Sequence, residues 1–157
     1  MKKSNWKVYL VSILIPLAVG ILAAIITNSS MEQFERLDKP WFAPPSWLFP
    51  IAWTILYTLM GISSAMIYLS AQSKERTEAL WLYAAQLFVN FWWPLFFFMW
   101  GLRLFAFVWI LLLIALVIGM ITRFYRIKPV AGLLQLPYLL WLLFASALNL
   151  SIFALNG

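Results

Sequence analysis

Five long apolar blocks, separated by short polar breaks, make up almost the whole chain. Each block is close to the ~20 apolar residues that a helix needs to cross ~30 Å of hydrocarbon. Within lipid, backbone N–H and C=O groups must be satisfied inside the segment, which selects helix. The pattern therefore predicts an all-α membrane protein: a bundle of five transmembrane helices at about 8–27, 46–71, 79–100, 104–125 and 130–155, in one domain over 1–157. The polar stretch 28–46 is the longest connection, and Gln72–Glu78, Gly101–Arg103 and Arg126–Pro129 are short turns. Proline removes a backbone donor and clashes with the preceding turn. It predicts a bend near Pro16 and Gly20, a kink at Pro94 and a disturbance at Pro137. The first block is longer than a signal-peptide core of ~7–15 residues and lacks a small-residue cleavage site, so it is expected to stay as a helix.

Composition narrows the class. The chain has 157 residues, of which 65% are hydrophobic and 10% charged, where a soluble domain carries about 25% charged residues. There is no cysteine and no histidine, which removes thiol chemistry, the commonest metal ligand and the usual base near neutral pH; no metal site is expected. A net charge of +6 does not imply nucleic acid, because the basic residues are scattered between apolar blocks. Their distribution sets orientation instead. Lys2, Lys3, Lys7, Lys74, Arg76, Arg123, Arg126 and Lys128 fall on one side, and Arg36, Lys39 and Arg103 on the other. The positive-inside bias then predicts a multi-pass cell-membrane protein with a cytoplasmic amino terminus. The connection between the first two helices and the carboxyl terminus lie outside.

The stretch Pro40–Tyr57 holds four prolines (Pro40, Pro44, Pro45, Pro50) and three tryptophans (Trp41, Trp47, Trp53). Pro44 and Pro45 end one piece of structure, and Ser46 is placed to cap the next helix. A stiff, aromatic hinge at a membrane surface reads as the lid of a pocket, formed by Trp41, Phe42, Pro44, Pro45 and Trp47.

Three helices offer mixed aromatic and polar stripes at helical spacing: Trp53 and Tyr57; Gln86, Asn90, Trp93 and Phe97; and Trp141, Ala145 and Asn149. Apolar walls with a few polar anchors are the make-up of a small-molecule site. The same stripes also suit plain helix packing or an interfacial aromatic belt, and Asn90 and Asn149 also suit interhelical hydrogen bonding. Trp6, Trp81 and Trp109 read as belt or lipid-facing residues. Glu32 and Glu35 have the spacing of a paired-carboxylate site but no third group to tune them. No span carries an ionisable residue away from its ends, which argues against a proton-coupled carrier. Gly20-x3-Ala24 and Gly61-x3-Ala65 permit close helix contact and are compatible with a homodimer.

These motifs resemble the TspO/MBR family, which comprises tryptophan-rich sensory proteins and the mitochondrial translocator protein or peripheral benzodiazepine receptor. The resemblance rests on Leu37-Asp38-Lys39-Pro40, Phe42-Ala43-Pro44-Pro45, Trp47, Pro50 and Trp53 to Tyr57, then Asn90 to Trp93 with Phe96-Phe97, and Pro137-Tyr138 to Trp141 with Ala145 to Asn149. It implies a five-helix bundle, commonly a homodimer, with a cavity under the first connection. It also implies ligands such as protoporphyrin IX, haem and benzodiazepine-site compounds. No cofactor is required; porphyrin is ligand or substrate. Carried over by motif, Trp53 and Trp141 are the cavity tryptophans, Tyr57, Asn90, Trp93 and Ala145 line the pocket, and Asn149 closes the same stripe. Two alternatives need the same cavity: light-dependent porphyrin degradation, with Trp53 and Trp141 as the catalytic candidates, and transport of hydrophobic molecules. The chain departs from the family pattern at Gln33-Phe34, at Pro40-Trp41-Phe42, and at Leu148-Asn149-Leu150, where no basic residue follows. Sterol recognition through that last element is not expected.

Overall fold

The computed structural model describes residues 5–156; Lys2 and Lys3 of the basic amino-terminal count lie outside the described residues. Seven helices make five membrane-length spans: α1 (Asn5–Thr27) with α2 (Met31–Glu35), α3 (Leu48–Tyr68), α4 (Lys74–Pro94), α5 (Arg103–Ile127), and α6 (Pro129–Leu133) with α7 (Leu136–Asn156). No strand occurs among the described residues. The protein is an all-α, multi-pass membrane protein, as expected.

The first connection is shorter than predicted. A 3-10 turn at Asn28–Ser30 carries the helix on into α2. Two interactions hold that extension: an exposed Glu32–Arg36 ion pair at 2.7 Å, and burial of Phe34 against Phe97 and Phe98 at 5.9 and 5.0 Å between ring centroids. Residues 28–46 look polar because the buried face of α2 amounts to this single residue.

Other boundaries move for local reasons. Helix α4 starts at Lys74 rather than 79, because Ser73 caps it by accepting the Arg76 backbone N–H at 3.0 Å. The charged residues fill its first turns, where Glu75 suits the positive end of the helix dipole. Ser46, expected as a cap, is not one: α3 begins at Leu48 with no side-chain cap, and the Ser46 hydroxyl donates to Glu35 Oε1 at 2.7 Å. The span predicted over 130–155 is broken at Leu134–Gln135, so Pro137 falls at the second position of α7, where its missing N–H costs nothing. After Pro94 the backbone widens into a π turn at Leu95–Met99, closed by Trp100 N–H donating to the Leu95 carbonyl at 2.9 Å. Gly101, at φ 63°, turns the chain into α5.

Helix α1 packs along α3 and touches α4, while α5 packs against both α4 and α7. Two glycines set the α1–α3 distance. A Cβ on Gly61 would lie 2.3 Å from the Ile13 Cα, and one on Gly20 would lie 2.3 Å from the Tyr57 ring. Gly20 and Gly61 thus serve packing within one chain, while Ala24 is exposed. Trp109, expected among the belt or lipid-facing residues, is half-buried, and its indole N–H donates to the Val89 carbonyl at 2.7 Å, tying α5 to α4. Trp6 and Trp81 are exposed, as the belt reading requires.

Candidate functional site

The buried face of α4 repeats at alternating steps of three and four: Ala79, Tyr83, Gln86, Asn90, Trp93 and then Phe97. This stripe brings its polar members to the centre of the bundle. The Tyr57 hydroxyl donates to Asn90 Oδ1 at 2.8 Å. Asn90 Nδ2 donates to the Tyr138 hydroxyl at 2.7 Å, which itself donates to Gln86 Oε1 at 2.7 Å. The chain of bonds joins α3, α4 and α7, and every member is buried. A second link runs from Trp93 Nε1 to Asn149 Oδ1 at 3.0 Å, and from Asn149 Nδ2 to the Arg103 carbonyl at 2.8 Å. Both asparagines are therefore interhelical bridges, as one of the two sequence readings had it.

Above this network, toward the 28–50 segment, lies a cavity of about 340 Å³. All seven residues named from the sequence line it: Trp53, Tyr57, Asn90, Trp93, Trp141, Ala145 and Asn149. The aromatic rings meet mostly edge to face: Trp53 and Trp141 have centroids 6.3 Å apart at 86°, and Phe49 lies 6.0 Å from Trp141. Trp53 stacks on Tyr57 at 5.4 Å. Such pairs hold ring orientations against rotation. The Trp93 indole is occupied by Asn149, but the Trp141 indole N–H is buried without a protein partner. A buried donor left unpaired is uncommon; Trp141 lines the cavity through its ring, with its N–H turned out of reach of the open space. The cavity is partly open: Ile21 and Ala24 of α1 and Pro50 and Thr54 of α3 line it and are themselves exposed.

The five lid residues stand elsewhere. None of Trp41, Phe42, Pro44, Pro45 and Trp47 lines the cavity; Ser46, Phe49 and Pro50 do. Trp41 is 95% exposed and Trp47 65%. Phe42 reaches the site indirectly, through Phe144 at 6.1 Å, which lies 5.4 Å from Trp141. Helix α1 and α2 supply wall residues that pattern reading missed, including Gly20, Thr27, Met31 and Phe34. Block α1 is apolar all round, so no periodicity marks its inner face. Tyr138 was also missed, although it lies in a quoted motif and sits 6.3 Å from Trp53. Its role appears only once its partners on α4 are placed. Glu32 and Glu35 are engaged with Arg36 and Ser46 at the exposed rim, so they do not form a paired-carboxylate site.

One clamp holds the connection down. Asn156, in the last turn of α7, accepts the Asp38 N–H at 3.0 Å and donates to the Asp38 carbonyl at 2.8 Å. An Asn156→Ala variant is expected to lose about 1 kcal/mol of global stability but to cut markedly faster with protease between Leu37 and Trp47. An unchanged cutting rate would show that Phe42 packing alone holds the segment.

Similarity to known proteins identifies the family. The model of the TspO/MBR family matches residues 12–155. The chain is 40% identical to a tryptophan-rich protein TspO of Archaeoglobus fulgidus, over 93% of this chain and 95% of the relative. It is 37% identical to a tryptophan-rich sensory protein of Cereibacter sphaeroides (80% and 77%) and 38% identical to the translocator protein of Bos taurus (87% and 82%). The chain belongs to the TspO/MBR family.

Proposed function

We propose that this protein is a membrane receptor that binds a flat, hydrophobic tetrapyrrole, such as protoporphyrin IX or haem, or a benzodiazepine-site compound, in the cavity between α1, α3, α4 and α7. The observation that carries this reading is the convergence of Trp53, Trp93 and Trp141 with Tyr57 and Asn90 on one partly open hollow. Aromatic walls favour a flat ring by stacking and by apolar burial. At about 340 Å³ the cavity is near the small end of the ~300–1,000 Å³ range for ligand sites. A tetrapyrrole therefore inserts one edge, and its charged edge stays at the open side between Ala24 and Thr54. No cofactor is needed for binding. Degradation of the bound ring under light is a second outcome of the same geometry, favoured by the Trp53–Tyr57 stack at 5.4 Å. The proposal places the molecule in the cell membrane, as a homodimer, with the basic loops in the cytoplasm.

Titration with protoporphyrin IX, followed by tryptophan quenching, should saturate. A Trp53→Phe/Trp141→Phe variant should bind about tenfold more weakly, from roughly 0.5–1.5 kcal/mol per aromatic contact. Non-saturating quenching, or unchanged affinity in the double variant, would remove the site. Absorbance loss on illumination separates degradation from binding alone.

A further inference from the structure

A second groove lies at the opposite end of the bundle, where α5 ends and α6 folds back on it. Its volume is about 330 Å³, and no residue of the first cavity takes part. The floor is a tight seam: a Cβ on Gly132 would sit 2.8 Å from the Tyr125 Cβ and 2.9 Å from its backbone nitrogen. That close approach seats α6 directly on the end of α5. One wall is Ile121, Thr122, Tyr125 and Arg126 of α5; the other is Leu133 and Leu136.

The lining is ordered along the span. Arg126 is the penultimate residue of α5, and Ile121 lies five residues deeper, about 7.5 Å at helical rise. The basic group therefore sits at the membrane boundary, and the apolar wall runs inward. Leu133 and Leu136 are 52% and 40% exposed, open to the surroundings of the bundle. Arg126 and Lys128 are exposed and form no ion pair; among the described residues the one pair found is Arg36–Glu32. No carboxylate side chain occurs anywhere from Gly101 onward. Charge outside and apolar surface inside match a molecule that is anionic at the boundary and aliphatic below it.

We propose that this groove is a binding site for an anionic phospholipid of the surrounding bilayer. Arg126, in the lining, holds the headgroup phosphate, Lys128 two residues on adds to the attraction from outside the groove, the Tyr125 hydroxyl is available as a further donor, and one acyl chain lies between Ile121 and Leu133. A cluster of basic side chains at a span end attracts anionic headgroups; the groove beside it converts that attraction into a site. The proposal is independent of what occupies the first cavity.

The test uses the full chain in zwitterionic micelles, with native mass spectrometry to count retained lipids and melting temperature as a second readout. Added phosphatidylglycerol should bind and raise the melting temperature, and phosphatidylcholine should do neither. Arg126→Gln/Lys128→Gln should weaken phosphatidylglycerol binding about 25-fold, from about fivefold per basic charge. Lys7→Gln/Lys74→Gln, with the same change in net charge, should bind as the parent does. Leu133→Trp, which fills the groove and keeps every charge, should also lose the lipid. Each variant is first shown to melt as the parent does without added lipid. Equal losses in the two charge variants would mean diffuse attraction and overturn the site. So would full binding by Leu133→Trp, equal binding of phosphatidylcholine, or equal stabilisation by glycerol phosphate, which has no chain.

Discussion

A Gly61→Val variant should not hold α1 against α3. At this position even the first carbon of a side chain has nowhere to go: it would meet the Ile13 Cα at 2.3 Å, the Ser12 carbonyl oxygen at 2.7 Å and Ile13 Cγ1 at 2.8 Å. Two of these three are backbone atoms, which cannot swing aside as a side chain does. Relief requires moving one helix bodily, and the buried residues beside Gly61, Met60 and Ala65, lose packing as it moves. Overpacking in a dense core costs about 1–3 kcal/mol and sometimes more; a clash with backbone belongs at the upper end, about 3 kcal/mol. The expected result is a large fall in melting temperature and a loss of ligand affinity, because α1 forms one wall of the cavity. Gly61→Ala should show the same effect in reduced form. Gly20→Ala provides the comparison. Its Cβ would meet the Tyr57 ring at 2.3 Å, so it should disturb Tyr57 and ligand binding more than the fold. Should Gly61→Ala melt with the parent, the close approach of the two helices is not a constraint on the bundle.

The number and type of spans were legible because lipid imposes one rule on every residue of a segment. Where a boundary depended on a single contact, that rule did not reach it. Phe34 turns a polar-looking connection into helix, and the Ser73 cap starts α4 inside a charged stretch. Ser46 had the residue type of a cap, but the acceptor it found is Glu35, eleven positions earlier. The site was legible on α3, α4 and α7 for a related reason. These helices mix polar with aromatic residues, so their inner faces show a period. Helix α1 is apolar on every side, and its inner face is fixed only by what it touches. Gly20 and Gly61 illustrate the ambiguity directly, since small residues permit close approach without naming the partner. The hinge shows the same limit. Its proline and tryptophan content marks a stiff surface segment, but Trp41 and Trp47 are exposed at 95% and 65%, and the residues that reach the cavity are the neighbouring Ser46, Phe49 and Pro50.

The second large effect concerns Asn90. Its amide is the joint between three spans, accepting from Tyr57 on α3 and donating to Tyr138 on α7. Asn90→Leu keeps similar bulk, strands the Tyr57 hydroxyl in a buried setting and takes one of its two partners from the Tyr138 hydroxyl. An unpaired buried polar group costs about 1–3 kcal/mol. Hydrogen bonds in membrane bundles average nearer 0.6 kcal/mol, because freed groups find other partners. Here the choices are few. The Tyr57 ring is fixed between Gly20 and Trp53, while Tyr138 keeps its bond to Gln86. About 2 kcal/mol is therefore expected, nearly all from Tyr57, with weaker porphyrin quenching as the Trp53–Tyr57 stack loosens. A cycle of variants isolates the cause. In a Tyr57→Phe/Tyr138→Phe background the hydroxyls are already gone, and the amide is itself the unpaired group. Asn90→Leu should then cost little or even stabilise, because removing a buried polar group together with its partners is milder than removing one alone. An equal loss in both backgrounds would show that Asn90 acts through shape alone, and the hydrogen-bonded joint would not be what holds the three helices around the cavity.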